Sequence, residues 1–341
     1  IVQNDSGKII SEAEERIQLN PKFQETYTTT IFLWVTQKCH TCEEANTETF
    51  YPAYLKYDYG ISSPIGFYNR LFSNGYYALA ETKDILQNYK VSDLKIILDS
   101  VGEKKSGNKE QLIQRITQKV PPKELGKYNR SELYTLSAKG QAYITKHKDF
   151  ISFHKKRNKW TISLKEYEIA MQQLGSEFNF RDIVWSIFND RIQSSYTKRN
   201  FLDIIHTYKC MSELIFEFDE NQKHGTFYLL VSFYCNISGI DYFYFIEQFQ
   251  KNYITKSYLE HMKCHIFIND QIVKQIRDNV NFFNQNTLKK VTEFVHLPIQ
   301  LCSQSDFFDI IDEIKNVTPF NNKKWETYFH TKYKEFVSSL I

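Results

Sequence analysis

The residues of this chain that are best suited to binding a ligand lie between Lys104 and Arg115, in the sequence KKSGNKEQLIQR. Ser106 can cap a helix that starts just after it, and Gly107 lets the backbone approach a ligand closely. Backbone N–H groups at a helix N-terminus attract anions, and the lysine and arginine side chains around them add positive charge. The stretch therefore predicts phosphate binding. The candidate contacts are Lys95, Lys104, Lys105, Ser106, Gly107, Asn108, Lys109 and Arg115.

Two short helices are expected to position this basic turn. Apolar residues recur at helical spacing before Gly102 and again after Gly107, and the glycines mark the break between the two periodic segments. The apolar positions are Val91, Leu94, Ile97, Leu98, Leu112, Ile113 and Ile116.

The order of these features resembles the SAP family of DNA-binding modules. A leucine-bearing helix and a glycine precede Ser-Gly-x-Lys-x-x-Leu-Ile-x-Arg-Ile, and the likeness covers residues 86–119, roughly a tenth of the chain. It implies a helix-extended-helix unit that binds double-stranded DNA, favours A/T-rich duplex, and turns Gly107, Lys109 and Arg115 toward it. Asn108 stands where the family usually has a lysine. The alternatives are a plain helical hairpin with solvated charges and a protein-interaction scaffold whose hairpin has lost its DNA role.

Positive charge is concentrated between residues 83 and 159. The net charge of the chain is only +3, yet residues 83–119 carry eight basic and five acidic side chains, and residues 139–159 carry seven and one. This distribution favours a local nucleic-acid footprint. In KHKDFISFHKKRNKW, residues 146–160, Lys155, Lys156 and Arg157 are further candidate DNA contacts beside rings that could stack on bases. The favoured interpretation of this segment is an amphipathic helix with its rings inward; the rings are Phe150, Phe153 and Trp160.

The segments on either side of the hairpin resemble parts of a winged-helix domain. Pro64 and Gly75 delimit a predicted helix, residues 134–136 a short strand, and Ser137 caps the helix that follows. The patterns L-x-x-x-G-Y and Y-x-L-S-x-x-G-x-x-x-I are similar to the end of a recognition helix and to the last strand and closing helix of that fold. The resemblance implies that the hairpin occupies the place of the wing. The alternative is a simple helical linker around the hairpin.

The chain is predicted to be mainly α-helical and to have three parts. Residues 1–58 form an N-terminal segment of mixed helix and strand, in which Ser11 and Glu14 have capping-box spacing and the apolar run 31–35 fits either element. Residues 59–150 form the DNA-binding region. Residues 151–341 form a helical interaction domain.

Helix signals repeat through the C-terminal part. Ser163, Asn179 and Thr197 are predicted to open helices, and successive helix pairs resemble a helical-repeat array that would bind a protein partner. Further helices are predicted over residues 225–235, 240–253, 256–265, 270–283, 306–314 and 325–340.

The cysteines and the hydropathy suggest a cytoplasmic protein with no membrane contact. Six cysteines are too few for a disulfide framework in a chain of this size, and no run of eighteen apolar residues occurs. Cys39 and Cys42 have the spacing of a zinc or redox pair, but no second Cys-x-x-Cys follows. The nearest further ligands are His261, Cys264 and His265, so two incidental cysteines are the favoured interpretation.

Motifs for catalysis are missing. The sequence contains no phosphate-cradling loop, dinucleotide fingerprint, Gly-x-Ser-x-Gly or His-Glu-x-x-His, so no cofactor is predicted. A metal-dependent nuclease is an alternative, with an acidic cluster before a lysine. Its residues would be Glu213, Glu217, Asp219, Glu220 and Lys223. The favoured hypothesis is a non-enzymatic DNA-binding protein, regulatory or related to a bacterial prophage or mobile element.

Overall fold

The computed structural model of the chain describes residues 2–3, 9–10, 19–121, 125, 132–175, 178–219, 221–264, 266 and 268–340. The fold is mainly α-helical, as predicted. The capping box predicted at Ser11 and Glu14 lies outside the described residues. The backbone packs into two compact units, residues 1–172 and 173–341. The predicted domain boundaries after residues 58 and 150 remain predictions.

The N-terminal unit combines short strand pairs with a series of helices. The apolar run 31–35, which fitted either a strand or a helix, is helical. In chain order the elements are β1 (Val2–Gln3), β2 (Ile9–Ile10), α1 (Pro21–Val35), α2 (Cys42–Ala45), a 3-10 turn (Glu48–Phe50), α3 (Tyr54–Tyr57), α4 (Pro64–Ser73), β3 (Tyr77–Leu79), α5 (Thr82–Gln87), α6 (Val91–Ser100), α7 (Lys109–Lys119), β4 (Tyr134–Leu136), α8 (Ala138–Lys146), α9 (Lys148–Lys156) and α10 (Leu164–Leu174).

Helix α1 lies at the centre of this unit. Asn20 caps it by accepting from the backbone N–H of Lys22 at 2.9 Å, and Pro21 occupies the first helical position, where its missing N–H costs nothing. The middle of the helix is buried, and α8 and α9 pack against it. Tyr27 and Phe150 meet edge to face, with ring centroids 5.3 Å apart. Aromatic packing therefore accounts for much of this core.

Strands β3 and β4 form an antiparallel ribbon that carries the hairpin region. Tyr77 pairs with Leu136 and residue 79 pairs with residue 134. The N–H of Ala80 donates to the carbonyl oxygen of Leu133 at 2.7 Å, which extends the pairing by one more bond. A bridge from His40 to β4 borders the ribbon. Residues 81–132, which include α5, α6 and α7, are thus inserted between two paired strands.

The C-terminal unit is helical throughout its described residues, and consecutive helices α11, α12 and α13 pack on one another. Its elements are α11 (Phe180–Lys198), α12 (Phe201–Phe218), α13 (Gln222–Ile237), a 3-10 turn (Ile240–Tyr242), α14 (Phe243–Gln250), α15 (Lys256–His261), α16 (Asp270–Asp278), a 3-10 turn (Val280–Phe282), α17 (Gln285–Phe294), α18 (Gln304–Asn316) and α19 (Asn322–Ser339). The repeat character of this array remains a prediction.

Of the three helix starts predicted at Ser163, Asn179 and Thr197, the first two are correct. Ser163 accepts from the N–H of Glu166 at the start of α10, and Asn179 caps α11. The start predicted at Thr197 is wrong, because that residue lies in the last turn of α11 and its hydroxyl donates to a carbonyl one turn back. The next helix begins after Asn200, whose side chain accepts from an N–H in its first turn.

No single helix among the described residues is long and apolar enough to cross a membrane. Helix α13 and the segment Ile240–Gln250 together reach that length and composition, but they are bent by 48° at the break between them.

Candidate nucleic-acid interface

Helices α6 and α7 form a hairpin with its own small core, and α5 packs on α7 beside it. The periodic apolar positions predicted from the sequence point inward, with the exception of the half-exposed Val91. Burying side chains of this size stabilises the hairpin by roughly 1.5–3 kcal/mol each relative to leaving them in water. The buried side chains are Leu86, Leu94, Ile97, Leu98, Leu112, Ile113, Ile116 and Val120.

Asn108, and not Ser106, caps α7. The Asn108 side chain accepts from the N–H of Gln111 at 3.0 Å, and the Gln111 side chain accepts in return from the N–H of Asn108 at 3.0 Å. The predicted cap at Ser106 is therefore wrong, because the helix starts at Lys109 and the residue just before it makes both bonds of the capping box. Asn108 thus has a structural role at the position where the family usually has a lysine.

Two features require a glycine at position 107: the backbone conformation and the closeness of Gln111. Its φ is +125°, a conformation that side chains disfavour. A Cβ atom built on it would lie 2.6 Å from Oε1 of Gln111, the atom that completes the capping box. The glycine therefore lets the loop turn tightly into α7 while both cap bonds form.

The lysines of the hairpin differ in their exposure and in the contacts of their ammonium groups. Lys104 is exposed in the loop, and Lys95 is exposed on α6, one turn before Asp99 and on the same side. Lys105 forms an ion pair with Asp99 at 2.7 Å, but both side chains are at least half exposed, so the pair is weak. Lys109 is half-buried, and its Nζ donates to the carbonyl of Gln87 at 2.6 Å.

Arg115 ties α7 to the loop that precedes it. Its Nη1 atom donates to the carbonyl oxygen of Ser106 at 3.0 Å and also to that of Lys104. Both bonds come from one nitrogen, and a guanidinium group has five N–H donors in all. Arg115 consequently helps to hold the loop that carries Lys104, Ser106 and Gly107. These contacts bring together the predicted loop residues and Arg115 at the N-terminal end of α7.

The second basic group lies at the end of α9, outside the hairpin, and consists of Lys155, Lys156 and Arg157. Helix α9 packs against α1. The aromatic rings between these charges are buried, with at most 6% of their surface exposed, so the alternative that they stack on bases is wrong. The favoured interpretation, an amphipathic helix with inward rings, is confirmed. Lys155 lies over the ring of Trp34, 5.1 Å from its centroid. The rings are Phe150, Phe153 and Trp160.

A series of buried hydrogen bonds, which the sequence did not reveal, links α1 to α9. The hydroxyl of Tyr59 bonds to that of Tyr27 at 3.2 Å and to Nδ1 of His154. Burial, together with the charge of Arg157, lowers the pKa of His154 to about 4, and burial raises the pKa of Tyr59 to about 12. Both groups are neutral near pH 7, so the chain of bonds supports the core. No local pattern joins residues this far apart in the sequence.

The candidate metal and nuclease residues do not assemble within the part of the chain that the structure describes, where no three His, Cys, Asp or Glu side chains are placed to hold a metal ion. Cys39 is half-buried and Cys42 exposed, both as free thiols. Burial and the charge of Asp84 raise the pKa of the Cys39 thiol. His265 and Glu220 lie outside the described residues. Of the remaining nuclease candidates, Glu213 and Glu217 lie in α12, Asp219 follows it, and Lys223 lies in α13.

The geometry defines a compact unit of two helices joined by an extended basic loop, with a short helix packed beside them. The SAP domain family model matches residues 85–118. The chain therefore contains a SAP domain, which is generally a DNA-binding module, at the place where the sequence resemblance put it. No curated protein and no solved structure matches the chain.

Proposed function

We propose that this protein binds double-stranded DNA through its SAP domain and contacts mainly the phosphate backbone. The observation that carries the proposal is the start of α7, where Lys104 and Lys105 lie in the loop before the capped helix N-terminus, Lys109 is the first helical residue, and Arg115 reaches back to the loop. Lys109 uses one of its three N–H donors on Gln87, which leaves two for a ligand. A helix N-terminus and ammonium groups attract phosphate without reading the base sequence.

Sequence preference is expected to be modest and to favour A/T-rich duplex. Phosphate contacts fix the position of a protein on DNA, while preference arises from groove shape and deformability. The candidate contacts on the hairpin are Lys95, Lys104, Lys105, Ser106, Gly107, Asn108, Lys109 and Arg115, and those on α9 are Lys155, Lys156 and Arg157. The last three lie on another helix and require a separate test.

The SAP domain is proposed to replace the wing of a winged-helix-like region. Two features support this: the order α4, β3, β4, α8, and the insertion of α5 to α7 between paired strands. The bridge from His40 to Tyr134 adds a third backbone segment beside the ribbon. The insertion would present the SAP domain on a rigid support.

The C-terminal unit is proposed to bind a protein partner. Several large side chains of its described helices and turns are exposed, among them Tyr244 at 61% and Tyr253 at 74%. The protein as a whole is proposed to be a non-enzymatic, cytoplasmic DNA-binding protein with a regulatory role, or one related to a bacterial prophage or mobile element. A protein-interaction scaffold is the second candidate, because the Asp99 ion pair and the loop bonds of Arg115 occupy part of the basic surface.

The test is fluorescence anisotropy of a labelled A/T-rich duplex, titrated with the protein at several salt concentrations. Four phosphate contacts in the hairpin contribute about −3.6 to the slope of log affinity against log salt. The best variant is Lys104→Gln with Lys105→Gln, since Lys109 and Arg115 also hold the hairpin together. It is expected to reduce the magnitude of the slope by about 1.8.

The matched control is Lys274→Gln with Lys290→Gln, two exposed lysines of the C-terminal unit. It changes the net charge equally and should leave the slope unchanged. If the wild-type protein does not bind duplex at low salt, the proposal is wrong and the scaffold hypothesis takes its place.

A further inference from the structure

The elements that flank the SAP insertion carry basic but no acidic residues. Residues 59–80 and 133–148 contain no Asp or Glu, although 40 of the 341 residues of the chain are acidic. Helices α4 and α8 and the ribbon of β3 and β4 lie within these two segments, and we call the two segments the flanking frame. A surface of one sign of charge suits a polyanion. The basic residues of the frame are Arg70, Lys139, Lys146 and Lys148.

Two of these cations lie along the C-terminal half of α4 and just beyond its end. Arg70 lies in the last turn of the helix, and its carbonyl accepts from the N–H of Asn74, the C-cap residue. The Nζ atom of Lys139 donates to the carbonyl oxygen of the same Asn74 at 2.6 Å. The ammonium of Lys139 therefore lies about one helical turn beyond the backbone of Arg70, while the guanidinium of Arg70 lies back over Phe67. Both residues are exposed.

Aromatic rings hold both cations in place. The guanidinium carbon of Arg70 lies 4.6 Å from the ring centroid of Phe67, and Nζ of Lys139 lies 4.6 Å from that of Tyr76. Long side chains usually lose rotamer freedom when they bind a ligand. Because these two already rest on rings, they have less freedom to lose, so the pair is positioned before any ligand arrives.

The backbone around the pair adds to its positive field. Ser137 caps α8 by accepting from the N–H of Gly140, so the positive end of that helix begins next to Lys139. Lys139 in turn offsets the negative end of α4. One carboxylate from outside the frame, Glu25 of α1, lines a cleft of about 510 Å³ together with Arg70. A second carboxylate, Glu132, accepts from the hydroxyl of Tyr134 at 3.4 Å, and the four basic residues of the frame outnumber these two acidic ones.

We propose that Arg70 and Lys139 form a second phosphate contact for duplex DNA beside the SAP domain. This inference rests on the proposed function and adds an interface to it. Tyr76, whose ring contacts Lys139, and Ala80, which precedes the SAP insertion, flank the extended strand β3 and lie about 13 Å apart at 3.3 Å per residue. A helical turn of DNA is about 34 Å long, so a duplex that contacts Lys139 is long enough to reach the start of the SAP insertion.

The experiment compares two double variants on the same labelled duplex across several salt concentrations. Arg70→Gln with Lys139→Gln is expected to reduce the magnitude of the salt slope by about 1.8, as loss of two phosphate contacts requires. Lys104→Gln with Lys105→Gln reports on the SAP domain alone. A separate charge-conserving double variant, Arg70→Lys with Lys139→Arg, is expected to keep the wild-type slope. Circular dichroism of each variant checks that the fold is retained.

The outcomes separate the two proposals. If the SAP variant loses slope while the Arg70 and Lys139 variant keeps it, the second contact is overturned and the proposed function stands. If the wild-type protein shows no binding, both are overturned. If the charge-conserving pair loses as much slope as the glutamine pair, the two residues support the fold rather than contact phosphate, and the inference is again overturned.

Discussion

The Nη1 atom of Arg115 donates a hydrogen bond to the carbonyl oxygen of Ser106 across 3.0 Å. The family resemblance alone would turn this arginine outward to DNA. Its bonds to the loop show a second role, because they fix the backbone that leads into the N-terminus of α7. Phosphate binding at a helix N-terminus depends on where the N–H groups point. Arg115 is therefore a positioning residue as well as a candidate contact.

Replacing Arg115 with lysine should separate these roles. Arg115→Lys keeps the charge but removes the geometry that reaches two carbonyls, so we expect about tenfold weaker DNA binding, equivalent to about 1.4 kcal/mol, with an unchanged salt slope. Anisotropy titrations at several salt concentrations measure both quantities. Arg181→Lys is the control, since Arg181 also donates from Nη1 to a backbone carbonyl but lies in the C-terminal unit. Unchanged affinity would argue against the positioning role.

Gly107 and Gln111 are expected to be energetically coupled. Gly107→Ala forces a side chain into a positive-φ conformation and against the Gln111 amide, and should destabilise α7 by about 1–3 kcal/mol. The same change in a Gln111→Ala background should cost less, because the 2.6 Å contact with Oε1 is gone and only the backbone strain and the 3.2 Å contact with the Cβ of residue 111 remain. Amide hydrogen exchange within α7 reports the local stability. Gly102→Ala is the control for backbone strain alone, because Gly102 also has a positive φ, +71°, and a Cβ atom there would contact nothing within 4 Å. Equal costs in both backgrounds would contradict the coupling.

Asp99 should weaken DNA binding by holding Lys105. Asp99→Asn breaks an exposed ion pair worth about 0.2–1 kcal/mol, so affinity should rise by roughly 1.5- to fivefold and the salt slope should steepen by at most about 0.9. The control is Asp278→Asn, the same substitution at an exposed site of the C-terminal unit. Equal gains from both variants would show that only net charge matters.

His154 should make the N-terminal unit less stable as the pH falls. Its pKa in the folded protein, about 4, lies below the ordinary value of 6.5, so the unfolded chain binds more protons between these values. The stabilising effect of the neutral ring is complete above about pH 6.5 and is lost as the pH falls toward 4. His154→Gln should flatten this dependence, as measured by the urea midpoint of hydrogen exchange in α9 at pH 7 and pH 5. The exposed His261 supplies the control variant His261→Gln. A pH dependence equal to that of the wild type would refute the assignment.

The sequence by itself determined the features that depend on near neighbours. The helices of the hairpin follow from apolar residues three and four apart, and the limits of α4 follow from Pro64 and Gly75. Ser137 and Asn179 were recognisable as caps because a cap bonds only two or three residues ahead. The SAP resemblance was visible for the same reason, since its motif lies within one short stretch. The helix start predicted at Ser106 was wrong because Ser106 and Asn108, two positions apart, could each serve as the cap.

The tertiary structure decided everything that joins distant parts of the chain. The pairing of β3 with β4, which mounts the SAP domain on a ribbon, links residues 77–79 to residues 134–136. The bond from Tyr59 to His154, the contact of Lys139 with Asn74 and the burial of Phe153 likewise arise only when separate elements pack together. Local patterns carry periodicity and turn chemistry, but such contacts depend on which faces meet. That choice is made by the packing of the whole core, where burial and hydrogen bonding must be satisfied at once.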